Sequence, residues 1–305
     1  MSEDSNIHRG LDGVVVDTTR ISKVMPEINS LVYAGYPVQE LSENCRFEEV
    51  AWLMWHGELP TAKDLAEFMA AGRAQRPISK DLLSVIQISP RTAHPMDVLR
   101  TAVSFLGLED AELDKTDAAT NLKRSISMMA KIPTMIAAFY RLRKGQDFIS
   151  PRSDLGFVEN FFHMIFGKVP APEVVHAFEV SLILYAEHGF NASTFTSRVV
   201  VSSLSDIYSG VVGGIASLKG PLHGGANEAV MHMLLEVGET SRAKEWMLAA
   251  LREKLLDVFH RIERLAGVQI SLRGFADFVA LRIKIHLSGA LLGVEILHQR
   301  RRDLF

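Results

Sequence analysis

Two histidines, each beside glycine and near a predicted helix end, are the residues of this chain best placed to do chemistry. His223 lies in Gly-Pro-Leu-His-Gly-Gly-Ala-Asn-Glu-Ala-Val (220–230), and His188 lies in Tyr-Ala-Glu-His-Gly-Phe-Asn-Ala-Ser-Thr (185–194). The two glycines after His223 leave room for a ligand to touch the backbone. The helix predicted to follow them would turn its free N–H groups and its positive dipole end towards a group beside the imidazole.

That setting favours one kind of chemistry at His223. A helix N-terminus disfavours a protonated imidazole, and a neutral imidazole near pH 7 can donate a hydrogen bond to a developing oxyanion. The alternative is that the glycines make a tight turn and His223 only caps it, because short motifs are weak evidence. A third histidine, His94, precedes Pro95 at another predicted helix start, where capping and ligand contact are both open.

The composition is that of an ordinary globular protein. The chain has 305 residues, 48% hydrophobic and 23% charged, enough for one large domain or two unequal ones. A net charge of −3 and a pI near 6.4 give no reason to expect a nucleic acid or an anionic membrane as partner. The single cysteine, Cys45, excludes an internal disulfide and a cysteine-based zinc site. The polar first twenty residues and the lack of a spanning apolar run predict a cytoplasmic protein.

Apolar residues recur at helical spacing along most of the chain, which predicts about twelve helices and an all-α fold. Residues 10–19, with the β-branched run Val14–Val16, are expected to form a short extended piece before Ile21, and the acidic stretch 109–117 is expected to be a solvated loop. Pro133 is expected to separate two helices, 120–131 and 133–144. Residues 192–218 are predicted as one long helix, whose serines and glycines would let it press closely against another backbone.

Five motifs together resemble the citrate synthase family, with the look of bacterial 2-methylcitrate synthases and short dimeric citrate synthases. They occur in family order from about residue 9 to about Trp246. In addition to the two histidine motifs, they are Gly-Leu-Asp-Gly-Val-Val-Val-Asp-Thr-Thr (10–19), Tyr-Pro-Val-Gln-Glu-Leu (36–41) and His-Pro-Met-Asp-Val (94–98).

The resemblance implies a two-domain homodimer that condenses an acyl-CoA with oxaloacetate and hydrolyses the thioester. A carboxylate removes a proton α to the thioester carbonyl, and the enol attacks the ketone. Family members need no metal or bound prosthetic group, since the coenzyme A thioester is itself a substrate. On this match His223 donates to the thioester oxygen as the enol forms, and His188 helps to hold oxaloacetate. The alternative for His188 is a helix-terminal histidine satisfied by backbone.

After Trp246 the sequence departs from the family pattern. The family's ketone-polarising histidine and its neighbouring arginine have their nearest counterparts in His260 and Arg261, without the family's glycines. These two residues would equally fit the solvated edge of an amphipathic helix. No segment matches the context of the family's catalytic aspartate, and Asp277 is the late aspartate that is the candidate for the base. Arg282 matches an arginine that binds substrate carboxylate in the family, although an exposed helix arginine is the alternative.

The resemblance also predicts how the chain divides. We expect a large helical domain at 1–222, a remnant of the small domain at 223–274, and a C-terminal helix at 275–305 that returns to the large domain. Two functional hypotheses remain open. One is an active 2-methylcitrate or citrate synthase, an acyltransferase that converts the acyl group to an alkyl group on transfer. The other is a catalytically impaired family member that acts as a binding or dimer-partner protein.

Overall fold

A computed structural model describes residues 15–28 and 30–252 of the chain. Three short strands precede twelve α-helices in this part of the chain. The strands are β1 (Ser22–Met25), β2 (Ser30–Tyr33) and β3 (Tyr36–Pro37). The helices are α1 (Val38–Asn44), α2 (Phe47–His56), α3 (Ala62–Gln75), α4 (Lys80–Ile88), α5 (Pro95–Leu108), α6 (Ala118–Arg143), α7 (Phe157–Phe166), α8 (Pro172–Leu184), α9 (Ala192–Ser202), α10 (Ile207–Leu218), α11 (Gly225–Val237) and α12 (Thr240–Arg252). The all-α prediction is confirmed.

The N-terminal strands form a small antiparallel meander in the order β1-β2-β3. The β2–β3 turn consists of Ala34 and Gly35, which both adopt positive φ (46° and 97°), as a two-residue hairpin turn requires. The described part of the expected extended piece, residues 15–19, forms no strand, and β1 begins only at Ser22. The meander packs beside the end of α8, where the Tyr33 hydroxyl donates to the carbonyl of Ile183.

Most helix boundaries follow ordinary capping chemistry. The side chains of Thr61, Ser79, Asp117, Asn191 and Asp206 each accept a hydrogen bond from a backbone N–H in the first turn of the helix that they precede. Proline opens α5 and α8, where its missing N–H costs nothing. Glycines in the left-handed conformation end α2 and α7.

The main hydrophobic core lies between α4, α5, α6 and α10. Its buried members include Leu82, Val103, Met135 and Phe139, none of them more than 3% exposed. A second cluster joins β2, α1, α2 and α8 around the fully buried Tyr33. The two clusters fix the ends of α8 and α10, the helices that precede the two histidine motifs.

The predicted break at Pro133 is wrong, because α6 runs without interruption across it. A proline inside a helix removes one backbone donor and clashes with the preceding turn, at about 3 kcal/mol. Here the flanking residues Met128, Ala130, Thr134 and Met135 are all buried in contacts with neighbouring helices. Tertiary packing on both sides of the proline outweighs its local preference.

The single long helix predicted at 192–218 is also wrong. The chain turns at 203–206, with Leu204 at a positive φ of 67°, and α10 folds back against α9. The expected close approach of small residues is nevertheless present, because Gly210 and Gly214 face α9 across this turn. A Cβ added at Gly214 would lie 2.7 Å from Ser197 Oγ, and one added at Gly210 would lie 2.8 Å from Val201 Cγ1.

The acidic stretch 109–117 forms turns, as expected, but one of its carboxylates is not solvated. Asp110 accepts a hydrogen bond from Nε of Arg124 at 2.6 Å and another from the Tyr208 hydroxyl at 3.1 Å. The Arg124 side chain is only 4% exposed. This ion pair fastens the loop onto α6 and α10.

The predicted domain boundary at 222/223 falls in the link between α10 and α11, and the one at 274/275 lies outside the described residues. Met233 of α11 packs in a small cluster with Val230, Leu234, Ala243 and Trp246, all from α11 and α12. Among the described helices, none is long and apolar enough to cross a bilayer.

Candidate active site

His223 lies in a tight link between α10 and α11. Its backbone N–H donates to the carbonyl of Gly220 at 3.0 Å, and the N–H of Gly225 donates to the same carbonyl at 3.1 Å. Gly224 is the N-cap of α11, so His223 stands one residue before the helix start. The predicted arrangement of a histidine at the head of this helix is therefore what the structure shows.

The glycines that follow His223 are needed by the protein's own packing. A Cβ added at Gly224 would lie 2.4 Å from the carbonyl oxygen of Leu218, and one added at Gly225 would lie 3.0 Å from that of Gly220. On the side where a Cβ would project, the space beside these glycines is thus taken up by the end of α10 and the link that follows it. The glycines let the chain reverse sharply enough to hold His223 against α9.

The His223 imidazole is half-buried and has one polar partner among the described residues. Its Nε2 lies 2.7 Å from the hydroxyl oxygen of Ser193 in α9, and the same hydroxyl can donate to the carbonyl of Gly214 at 3.0 Å. Burial in the first place, and the nearby His188 in the second, lower the pKa of His223 below the ordinary histidine value. A neutral ring near pH 7 was the sequence-based prediction for this residue. The lowered pKa comes from burial and from His188, whereas the sequence-based prediction relied on the helix dipole.

His188 lies in the break between α8 and α9, with its side chain exposed. The residue after it, Gly189, has a φ of +83°, a conformation that a side chain would strain. Ser193, five residues after His188 in the chain, contacts the His223 imidazole, so the α8–α9 break lies beside the His223 turn, and the charge of His188 contributes to the lowered pKa of His223. The structure thus brings together the two histidines singled out from the sequence.

Two further contacts fix the geometry around this pair. The Tyr185 hydroxyl, at the end of α8, hydrogen-bonds the side-chain oxygen of Asn227 in α11 at 3.1 Å. Lys219, at the end of α10, lies 2.6 Å from a carboxylate oxygen of Asp97 in α5. These links tie the His223 turn to α8 on one side and to α5 on the other.

His94, for which helix capping and ligand contact were both left open, caps a helix. Its Nδ1 accepts a hydrogen bond from the backbone N–H of Met96 at 3.2 Å, so the ring caps α5. Capping is therefore one of the two roles, and it is the one that the described contacts show for this residue. The remaining predicted site residues, His260, Arg261, Asp277 and Arg282, lie outside the described part of the chain.

Ser193 is the site residue that sequence reasoning missed. Its motif, Asn-Ala-Ser-Thr, was recognised, but the serine reads as one more residue of a helix N-terminus. Only the reversal of α10 against α9 brings its hydroxyl to the imidazole. Within the described ranges, no group of three or more histidine, cysteine or acidic side chains could hold a metal ion.

Comparisons with known proteins point to one family. The family model described as citrate synthase, C-terminal domain, matches residues 10–267. The chain is 54% identical over 266 residues to a 2-methylcitrate synthase of Mycobacterium tuberculosis, covering 87% of this chain and 67% of that protein. It is also 54% identical over 263 residues to a citrate synthase of Mycolicibacterium smegmatis, covering 86% of this chain and 70% of that one.

A solved structure agrees with these sequence relatives. The citrate synthase of the archaeon Thermoplasma acidophilum superimposes with a TM-score of 0.74 at 27% identity. The match covers 81% of this chain and 65% of that structure, which was determined with carboxymethyl coenzyme A and oxaloacetate bound. The chain therefore spans about two thirds of the length of the relatives that it matches.

Proposed function

This chain belongs to the citrate synthase family, and on that premise we propose that it condenses an acyl-CoA with oxaloacetate and hydrolyses the thioester to release free coenzyme A. The acyl donor is propionyl-CoA or acetyl-CoA, since relatives named for 2-methylcitrate and for citrate match at the same identity. The observation that supports this proposal is the contact between His223 and Ser193, five residues after His188, which joins the two family histidine motifs.

His223 is assigned the oxyanion role. Removing a proton α to a thioester carbonyl moves negative charge onto the carbonyl oxygen, and a positioned donor stabilises that charge. A neutral imidazole can donate only from the nitrogen that carries its proton. The single proton of the Ser193 hydroxyl can go to the Gly214 carbonyl at 3.0 Å or to Nε2 at 2.7 Å, and we assign it to Nε2, the shorter contact. The imidazole proton then resides on Nδ1, which has no hydrogen-bond partner among the described residues. Nδ1–H is then the group that faces the acyl-CoA.

His188 is assigned to oxaloacetate. It is exposed in the α8–α9 break, where a small dianion can reach it, and its charge influences the pKa of His223. Bringing the ketone of oxaloacetate next to the forming enol turns a bimolecular step into an effectively unimolecular one. The two histidines therefore divide the work, with one substrate each.

The remaining groups are proposed from the sequence alone. His260 is the candidate for polarising the ketone, Arg261 and Arg282 are the candidates for binding substrate carboxylates, and Asp277 is the nearest candidate for the base. Their sequence context departs from the family pattern. That departure keeps the second candidate function, a family member that binds oxaloacetate or a partner without turnover.

We further propose that the chain pairs with a second copy of itself through α4, α5, α9 and α10. Large apolar side chains stand exposed on these helices and on the α9–α10 turn, among them Ile88 (82%), Leu108 (78%) and Leu204 (89%). Exposed apolar area of this kind marks an interaction surface. Sedimentation should show a dimer, and Leu108→Glu should shift it towards the monomer, whereas Lys63→Glu on the exposed face of α3 should not.

The division of the chain into three parts also remains a proposal. The separate hydrophobic cluster of α11 and α12 supports a small-domain remnant that starts at 223. In this arrangement the His223 turn is the hinge between the parts. Closure of a small domain over bound acyl-CoA would exclude water from the enol.

The function is tested by identifying the product. The 305-residue chain is incubated with oxaloacetate and either propionyl-CoA or acetyl-CoA, and free thiol and tricarboxylic acids are measured by a colorimetric reagent and mass spectrometry. We expect thiol release that depends on oxaloacetate, with one tricarboxylic acid formed per thiol. Oxaloacetate binding without thiol release at high protein concentration would favour the second candidate function. Neither binding nor release would refute both.

A further inference from the structure

The exposed histidine of the α8–α9 break is supported by groups of the N-terminal meander, whose contacts to this break are 150 and 165 residues apart in sequence. The backbone turns sharply there, and an exposed imidazole on an unsupported turn would sample many orientations. The described structure shows where the support comes from: Tyr33 in β2 and Ser22 in β1 both reach the residues that flank His188.

Tyr33 holds the backbone before His188. Its ring is fully buried among Val38, Leu41 and Val50 and its hydroxyl donates to the carbonyl of Ile183 at 2.9 Å. The carbonyl of Leu184 lies 3.3 Å from the same hydroxyl, which also accepts the backbone N–H of Glu187 at 3.3 Å. The last carbonyls of a helix lack intrahelical partners. One phenol therefore satisfies the end of α8 and the residue next to His188.

Glu187 and Ser22 hold the other side of the turn. The Glu187 carboxylate accepts a hydrogen bond from the Ser22 hydroxyl at 3.3 Å and another from the backbone N–H of Gly189. The residues immediately before and after His188 are thus both tied down. Burial raises the pKa of Tyr33 to about 12, so the phenol keeps its proton and remains a donor throughout the neutral range.

We infer that Tyr33, together with Ser22 and Glu187, positions His188 for its substrate, so that the N-terminal meander is part of the oxaloacetate site although it touches no reacting atom. This inference rests on the proposed role of His188. Tyr33 is a positioning residue: its removal frees the backbone on both sides of the turn, and the cost falls on oxaloacetate binding rather than on the acyl-CoA.

The inference is tested with Tyr33→Phe, which keeps the buried ring and removes only the hydroxyl. We expect the KM for oxaloacetate to rise about tenfold, the equivalent of ~1.4 kcal/mol, while the KM for acyl-CoA stays unchanged. The matched control is Tyr36→Phe, three residues away in the same meander, whose hydroxyl makes no hydrogen bond to the described residues. Its kinetic constants should equal those of the unmodified chain.

A purely structural role for Tyr33 would lower the unfolding temperature and leave the oxaloacetate KM unchanged well below that temperature, and this result would overturn the inference. If Tyr33→Phe does not fold, Ser22→Ala serves as the second variant, because it removes one of the two hydrogen bonds to Glu187 at a residue of the sheet. An unchanged oxaloacetate KM in Ser22→Ala would likewise overturn the inference. Failure of the unmodified chain to bind oxaloacetate would instead refute the proposed function.

Discussion

Substituting Gly224 by alanine should damage both the stability and the chemistry of this protein. The added Cβ would lie 2.4 Å from the Leu218 carbonyl oxygen and 2.6 Å from Leu218 Cδ1. The first distance is about 1 Å short of an ordinary contact, and the carbonyl belongs to the backbone, which cannot rotate away as a side chain can. The end of α10 and the His223 turn must separate by a comparable amount.

The expected magnitudes follow from that displacement. Overpacking of this kind costs roughly 1–3 kcal/mol of the free energy of unfolding. A misplacement of about 1 Å at a catalytic group can cost roughly 10²-fold in rate, so oxaloacetate-dependent thiol release should fall by about that factor. Urea denaturation measures the first quantity, and the thiol assay at saturating substrates measures the second.

The matched control is Gly72→Ala in the middle of α3. No atom lies within 4 Å of a Cβ built there, and φ is not in the left-handed range. Alanine should therefore stabilise the chain by about 0.5–1 kcal/mol and leave thiol release unchanged. Our explanation of the His-Gly-Gly turn would be refuted if Gly224→Ala matched the unmodified chain in both measurements.

Three further predictions concern the site and the loop that supports it. Ser193→Ala removes the partner of His223 Nε2 at 2.7 Å and should lower kcat about tenfold with little change in KM, as expected for a lost net hydrogen bond to an essential group, whereas an equal kcat would show that the serine does not set the tautomer. Burial first and His188 second lower the pKa of His223, so NMR titration should give a pKa below about 6.5, and the imidazole should be mostly neutral at pH 7. His188→Ala should raise this pKa. A pKa at or above that of a free histidine would contradict the site geometry. At Asp110, burial alone would raise the carboxyl pKa, but hydrogen bonds from Arg124, the backbone and Tyr208 hold it below its ordinary value. The stabilisation from this carboxylate is therefore present above the unfolded pKa of about 4 and is lost as the pH falls through the lower folded value. Asp110→Ala leaves the buried Arg124 guanidinium without its carboxylate partner and should cost about 3–5 kcal/mol of the free energy of unfolding, measured by urea denaturation at pH 7.

The sequence was sufficient for the fold class and for placing the two histidines near helix ends. Residues such as Thr61, Asp117, Pro95 and Gly57 act within one turn of themselves, so their positions predict helix ends without tertiary information. Both histidine motifs were visible because glycine and histidine together at a helix end are an uncommon combination of residue types.

The errors arose where distant contacts decide the local structure. Pro133 sits inside α6 because buried neighbours on either side hold the helix together. The α9–α10 reversal depends on Leu204 in the left-handed region, which leucine rarely adopts, although Asp206 as an N-cap was an available signal. Ser193 and Tyr33 could not be assigned from sequence, since their partners are 30 and 150 residues away.

The most direct test of the account is a comparison of His223→Ala with His188→Ala, using exposed His232→Ala in α11 as the control. The first variant should lose roughly 10²- to 10³-fold in kcat, as for removal of one oxyanion donor, and should still bind oxaloacetate in calorimetry. The second should lose oxaloacetate affinity, and the control should change neither quantity. Thiol release that survives His223→Ala at the unmodified rate, or oxaloacetate binding that survives His188→Ala unchanged, would contradict the assignment of one substrate to each histidine.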